Sequence, residues 1–181
     1  MTTKPAVQLA KGSHDFDGAD DCPRCLFEAY NWAKRSVFTD DRPPGVSPAL
    51  HVFGMRLNDC LPDETRQRLV RYLPNGDDPL AGTEDDGREE TRGYIALNWL
   101  IRVYLLRFLE LSPRLAVHAA SVRKLPRIDS METAEAAGVI VRAAGDAAWD
   151  AARDAAGDAL APTVADLQVS ALDLYARMVA A

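Results

Sequence analysis

Residues 89–111 read EETRGYIALNWLIRVYLLRFLEL. Tyr94, Ile95, Leu97, Trp99, Leu100, Ile101, Val103, Tyr104, Leu105, Leu106, Phe108 and Leu109 make this stretch apolar nearly all round. A helix with that pattern has no wet face of its own, so it is expected at the centre of a bundle. Nowhere does the chain alternate at period two for long enough to be a strand. The expected fold is all-α: a single-domain helical bundle around this central apolar helix, with a long Ala-rich helical C-terminal segment.

Upstream, Cys22-Pro23 puts proline at a first helical position, and Leu26, Phe27, Tyr30, Ala33 and Val37 recur at helical spacing. Ser47-Pro48 is a cap-then-proline start followed by Leu50, Phe53, Gly54 and Leu57. Pro62-Asp63 opens a third helix that buries Leu69, Val70 and Leu73. Between them, TDDRPPGVSP (39–48) reads as a loop. PNGDDPLAGTEDDGREET (74–91), with seven acidic residues and three glycines, is the segment expected to be most mobile.

Downstream, Ser112-Pro113 opens a fifth helix to about Lys124. From Ser130 the chain turns Ala-rich, with tetrads AAGD, AAWD, AARD and AAGD over 143–158. Four residues turn a helix by about 400°, so the repeats drift by ~40° each. Asp146, Asp150, Asp154 and Asp158 then form an acidic stripe, read as a solvated face. The Ala pairs, including Ala148 and Ala152, form a seam for a close helix neighbour, and Trp149 is the expected anchor to the core or to a second copy. Pro162 should break that helix. The last helix carries Val164, Leu167, Ala171, Leu174, Tyr175 and Met178 on one face. The chain thus divides into an irregular lead-in (1–22), a helical core (23–129) and an Ala-rich plus terminal helix packed on it (130–181).

The 181 residues carry a net charge of −6, all of it in residues 1–90, which hold 11 basic and 17 acidic side chains. Duplex binding rests on neutralising phosphates, so nucleic acid is an unexpected partner. No run of 18 apolar residues occurs, and no basic-then-apolar leader opens the sequence. Three cysteines make no secreted disulfide framework. A reduced, cytoplasmic protein without a membrane span is expected.

Cys22-Pro-Arg-Cys25 is the most chemical feature. At a helix N-terminus, exposed N–H groups favour a thiolate, and Arg24 adds a positive charge. A dithiol redox pair and half of a zinc site are both open readings, against inert thiols. Zinc wants four ligands, and His51 and Cys60 could join Cys22 and Cys25 if the first two helices pack antiparallel. HDFDGADD (14–21) fails the EF-hand spacing and reads as a solvated acidic loop, though His14 could pair with Glu28 or a cysteine. Arg102 and Arg107 sit in apolar context, with Glu28 or Asp59 as candidate carboxylate partners. Arg102 is thus a candidate buried ion pair or anion site. No nucleophile elbow, P-loop, GxGxxG or HExxH is present, so no enzyme class is supported.

GSH (12–14), Cys25-Leu-Phe-Glu28-Ala29, Val46-Ser47-Pro48, Asn58-Asp59, Leu61-Pro62-Asp63, Gly82-Thr83, Asn98-Trp99-Leu100-Ile101-Arg102, AAWDAARDAAGDAL and LQVSALDLYARM occur in that order. Together they resemble a family of small Ala-rich helical proteins of high-GC bacteria and their phages, to which no activity is assigned. In that family one cysteine precedes the Glu-Ala step, matching Cys25; Cys22 is an addition, and a further cysteine of the family is Gly45 here. The resemblance moves interest from Cys22 to His14, Cys25 and Glu28 as a shared cluster.

The expected function is non-enzymatic binding or assembly through helix faces, with self-association or another helical protein as partner and no cofactor. The alternative is a zinc-binding or thiol redox-linked protein using His14, Cys22, Cys25 and Glu28. A small-molecule enzyme with a pocket at Arg102 is a third reading.

Overall fold

The computed structural model describes residues 7–15, 22–152 and 161–181, side chains excepted at 146–152 and 161. The protein is all-α. Helices α1 (Leu26–Arg35), α2 (Pro48–Cys60), α3 (Asp63–Arg66), α4 (Glu89–Trp99), α5 (Leu106–Leu109), α6 (Ala116–Arg123), α7 (Met131–Ala152) and α8 (Ala161–Ala180) follow one another. The described residues form no strand, only the isolated bridges Leu9–Arg24 and Asn75–Asp77. None of their helices is long and apolar enough to cross a membrane. The chain groups into two compact units, one reaching Glu89 and including Ala171–Ala181, the other Glu90–Ser170.

In the first unit, Leu26, Phe27, Tyr30, Leu50, Leu57 and Leu69 are buried with Leu174, Tyr175 and Met178 of α8. Ser47 caps α2 as its Ser-Pro pattern predicts, its Oγ accepting from the Leu50 amide. Gly54 lets α2 run against aromatic rings: a Cβ there would lie 2.6 Å from Tyr175 Oη and 3.0 Å from the Phe27 ring. The Tyr175 hydroxyl donates to the Leu50 carbonyl, and Tyr72 meets the Tyr175 ring edge-on at 4.9 Å. The α2 C-terminus is closed by buried Arg66, which donates to the Asn58 and Leu61 carbonyls. Helical carbonyls at that position lack an intrahelical donor.

Two expectations fail here for long-range reasons. Pro23 is not helical: α1 starts at Leu26 with Cys25 as its cap, because Arg24 is drawn into an extended bridge with Leu9. The acidic loop is pinned rather than loose. Asp78 takes the Tyr30 hydroxyl and the Lys34 ammonium, each at 2.8 Å. Thr83 Oγ1 accepts from the Ser47 amide, Glu84 receives Arg42 and the Gly45 amide, and Glu89 receives the Ser47 hydroxyl and the Ala49 amide.

In the second unit, Ile101, Leu109, Leu115, Ala119, Val122, Leu125, Ile128, Ala137 and Ala144 form the core. The apolar 89–111 segment is helical but not enclosed on all sides. It widens to a π-helical stretch at Leu100–Leu105. Trp99, Ile101 and Leu109 are buried, whereas Leu100 is 43% and Tyr104 49% exposed. Trp99 Nε1 donates to Ser170 Oγ at 2.7 Å, and the Ile128 amide donates to Asn98 Oδ1. Ser130 caps α7 through the Thr133 amide, and α7 enters the core on Ala137 and Ala144, two turns apart. α8 begins at Ala161 with Pro162 in its first turn, where a missing N–H costs nothing. Of its expected core stripe only Val164 is exposed.

Candidate functional site

The side chains nominated from sequence meet at the start of α1. Glu28 is the third residue of that helix and folds back to accept from the amide of its cap residue, Cys25, at 2.7 Å. This is a capping box with cysteine in place of the usual serine or threonine. The same carboxylate receives residues 12–14 from outside the helix. The His14 amide donates to Oε1 at 2.7 Å, the Ser13 hydroxyl to Oε1 at 3.3 Å, and His14 Nδ1 lies 2.9 Å from Oε2. An ionised carboxylate only accepts, so the His14 ring carries a proton on Nδ1.

Glu28 is buried, with its side chain 1% exposed. Burial opposes its ionisation; the hydrogen bonds from the Cys25 amide and from the His14 amide and ring outweigh that, leaving its pKa below the ordinary carboxylate value. The neighbouring thiol behaves in the opposite sense. Burial, with the Glu28 charge adding to it, pushes Cys25 up to about 12. The helix-terminus effect expected to favour a thiolate is thus overridden by desolvation. Cys22 is buried and Cys60 exposed, and none of the three cysteines is in a disulfide.

Residues 9–14 form a strap across α1, α2 and the 3-10 turn Gln67–Tyr72. The Leu9 amide donates to Gln67 Oε1 at 2.8 Å, and Gln67 Nε2 donates to the Leu9 carbonyl at 2.9 Å. The Ala10 amide donates to the Arg24 carbonyl at 2.7 Å, and Asn58 Nδ2 donates to the Ala10 carbonyl at 2.9 Å. The Gly12 amide donates to Asp59 Oδ1 at 2.9 Å. Gly12 has φ +85°, a conformation glycine adopts without strain. Leu9 is buried beneath the strap.

His14 and the Cys25 amide are therefore brought together on Glu28. The wider zinc set is not. His51 packs edge-on to Phe27 at 4.5 Å and bonds the Asp40 carbonyl. Among the described residues no group of three His, Cys, Asp or Glu side chains is placed to hold a metal. Of the acidic loop, Asp17, Asp20 and Asp21 lie outside the described residues. Arg102 does not take the expected carboxylate; it donates to the Leu125 carbonyl just beyond α6, while Glu28 and Asp59 receive the strap. Arg24 is buried, stacked on Trp32 at 5.2 Å and on Phe38 at 5.8 Å. Ala148, Trp149 and Ala152 lie on the α7 backbone, but their side chains fall outside the described residues.

Sequence reasoning missed Gln67, Asn58 and Asp59 as strap holders. The side-by-side amide and acid of Asn58-Asp59 was the one available signal. Comparison with protein-family models, with curated proteins and with solved structures found no match to this chain.

Proposed function

We propose that the chain is a non-enzymatic binding and assembly protein that acts through helix faces, self-associating in the cytoplasm. The observation that carries this reading is the exposure of Leu100 and Tyr104 on the π-helical stretch of the 89–111 segment. Met131 and Val139 of α7 and Val117 of α6 add further large apolar side chains to the surface of the same unit. Such residues are individually ordinary, but two of them one turn apart on one helix favour a helical partner over a nucleic acid or a membrane. The test is light scattering over a wide concentration range, on the wild type and on Leu100→Glu/Tyr104→Glu. A wild-type mass of two or more copies, falling to one copy in the variant, supports the reading. A wild-type mass of one copy throughout overturns it.

A zinc- or thiol-linked protein is the second reading. His14 Nδ1 and the Cys25 amide both meet the Glu28 carboxylate, but no three such side chains among the described residues are placed to hold a metal, so this reading ranks below the first. Elemental analysis showing no bound zinc, with thiols that titrate normally in the purified protein, would remove it.

A further inference from the structure

The strap is held in a way that recognises an extended backbone. Six of its main-chain groups are received: the amides of Leu9, Ala10, Gly12 and His14 and the carbonyls of Leu9 and Ala10. Five of these six bonds come from side chains of the helical body, namely Gln67 (twice), Asn58, Asp59 and Glu28. The sixth is an extended pairing with Arg24. Packed protein segments usually bury side chains against side chains. Here a single apolar residue, Leu9, is buried, and the remaining contacts read bare peptide groups at fixed positions. Added extended segments in peptide-binding proteins are held by this division: main-chain bonds supply affinity and one or two side-chain sites supply specificity.

We propose that Arg24, Glu28, Asn58, Asp59 and Gln67 form a peptide-binding track, occupied in cis by residues 9–14. Its ligand class is an extended peptide with an apolar residue, glycine three positions on and histidine five positions on. The apolar residue fills the Leu9 site. Glycine is required by backbone conformation, since a Cβ at Gly12 meets nothing within 4 Å but φ is +85°. Histidine is required by the Glu28 carboxylate, which takes both its amide and its Nδ1 proton. The strap then acts as a tethered competitor, and a free peptide sees only the fraction of chains whose track is open. This inference does not depend on the helix-face reading.

The test uses the full chain and a fluorescein-labelled peptide of residues 7–15, VQLAKGSHD, followed by fluorescence polarisation. Leu9→Asp weakens the tethered strap without altering the track. It should bind the peptide at least about tenfold more tightly than the wild type does. Adding Gln67→Ala should remove that gain, and a peptide with aspartate in place of leucine should not bind. A Leu9→Asp chain with wild-type circular dichroism that binds no more tightly than the wild type overturns the proposal. If Leu9→Asp does not fold, Leu9→Ala carries the test: a gain of about threefold supports the track, and no gain overturns it.

Discussion

Glu28 Oε2 sits between the Cys25 amide at 2.7 Å and His14 Nδ1 at 2.9 Å, so one oxygen both starts α1 and fastens the strap. Replacing Glu28 by Gln keeps the shape but removes the charge that strengthens these bonds. It also turns one acceptor into a donor facing other donors. Loss of about 1–3 kcal/mol is expected in urea unfolding. Amide exchange should rise at Gly12 and His14 but not at Ala137, which lies in the other unit. Unchanged exchange in the strap would refute the shared role of that oxygen.

Acid should loosen the same place. The Glu28 pKa is held below its ordinary 4.5 in the folded chain. Its contribution is therefore complete above about pH 4.5 and is lost as pH falls through the folded value. Asp78, lowered by Lys34 and Tyr30 against the opposing effect of burial, acts in the same direction on the acidic loop. Denaturation curves across this range should slope less steeply with pH for Glu28→Gln than for the wild type. Identical slopes would show that Glu28 does not carry the linkage.

The alkaline side has the opposite sign. Cys25 stays protonated to about 12 in the fold against 9.0 in the open chain, through burial first and Glu28 second. Stability from the neutral thiol is full below pH 9 and falls as pH rises toward 12. The buried phenols of Tyr30 and Tyr175, also pushed up by burial, join from about pH 10. Cys25→Ala should remove the part of the loss that begins near pH 9. In thiol titration of the native protein, exposed Cys60 should react first, with Cys22 and Cys25 following only on unfolding. Fast labelling of all three would contradict the burial.

Gly54→Ala tests the close approach of α2 and α8. The added methyl meets Tyr175 Oη at 2.6 Å and the Phe27 ring at 3.0 Å, so a cost of about 1–3 kcal/mol is expected despite alanine's better helix propensity. Tyr175→Phe alone loses the bond to Leu50. In combination with Gly54→Ala it removes the nearest obstacle, so the pair should cost less than the sum of the singles. Additive costs would place the strain at Phe27 instead.

Local signals made the helices readable. Ser47-Pro48 and Ser130 act within three residues of themselves, and Leu167, Ala171, Leu174, Tyr175 and Met178 repeat at one period. What escaped depends on partners far along the chain. Gln67 reaches Leu9 across 58 residues and Asp78 reaches Tyr30 across 48, so neither the strap nor the pinned loop has a local signature. The apolar count of 89–111 overstated its enclosure because composition cannot say which face lacks a neighbour, and the π-helical stretch shifts the register of Leu100 and Tyr104. At the candidate site the residue types were legible, but Glu28's capping role was not, because the Cys22-Pro23 signal places the helix start three residues too early. The Cys25 thiol is decided by desolvation, which outweighs the helix-terminus effect and has no signature in residue spacing.

Tyr175 closes its hydrogen bond on Leu50 across 125 residues, and α8 is divided between the two units. During synthesis on the ribosome, the first unit must therefore wait with Phe27 and Leu50 uncovered until the whole of 90–170 has been made. A nascent chain halted before residue 171 should be a client for chaperones and an easy substrate for proteases, whatever the state of its second half.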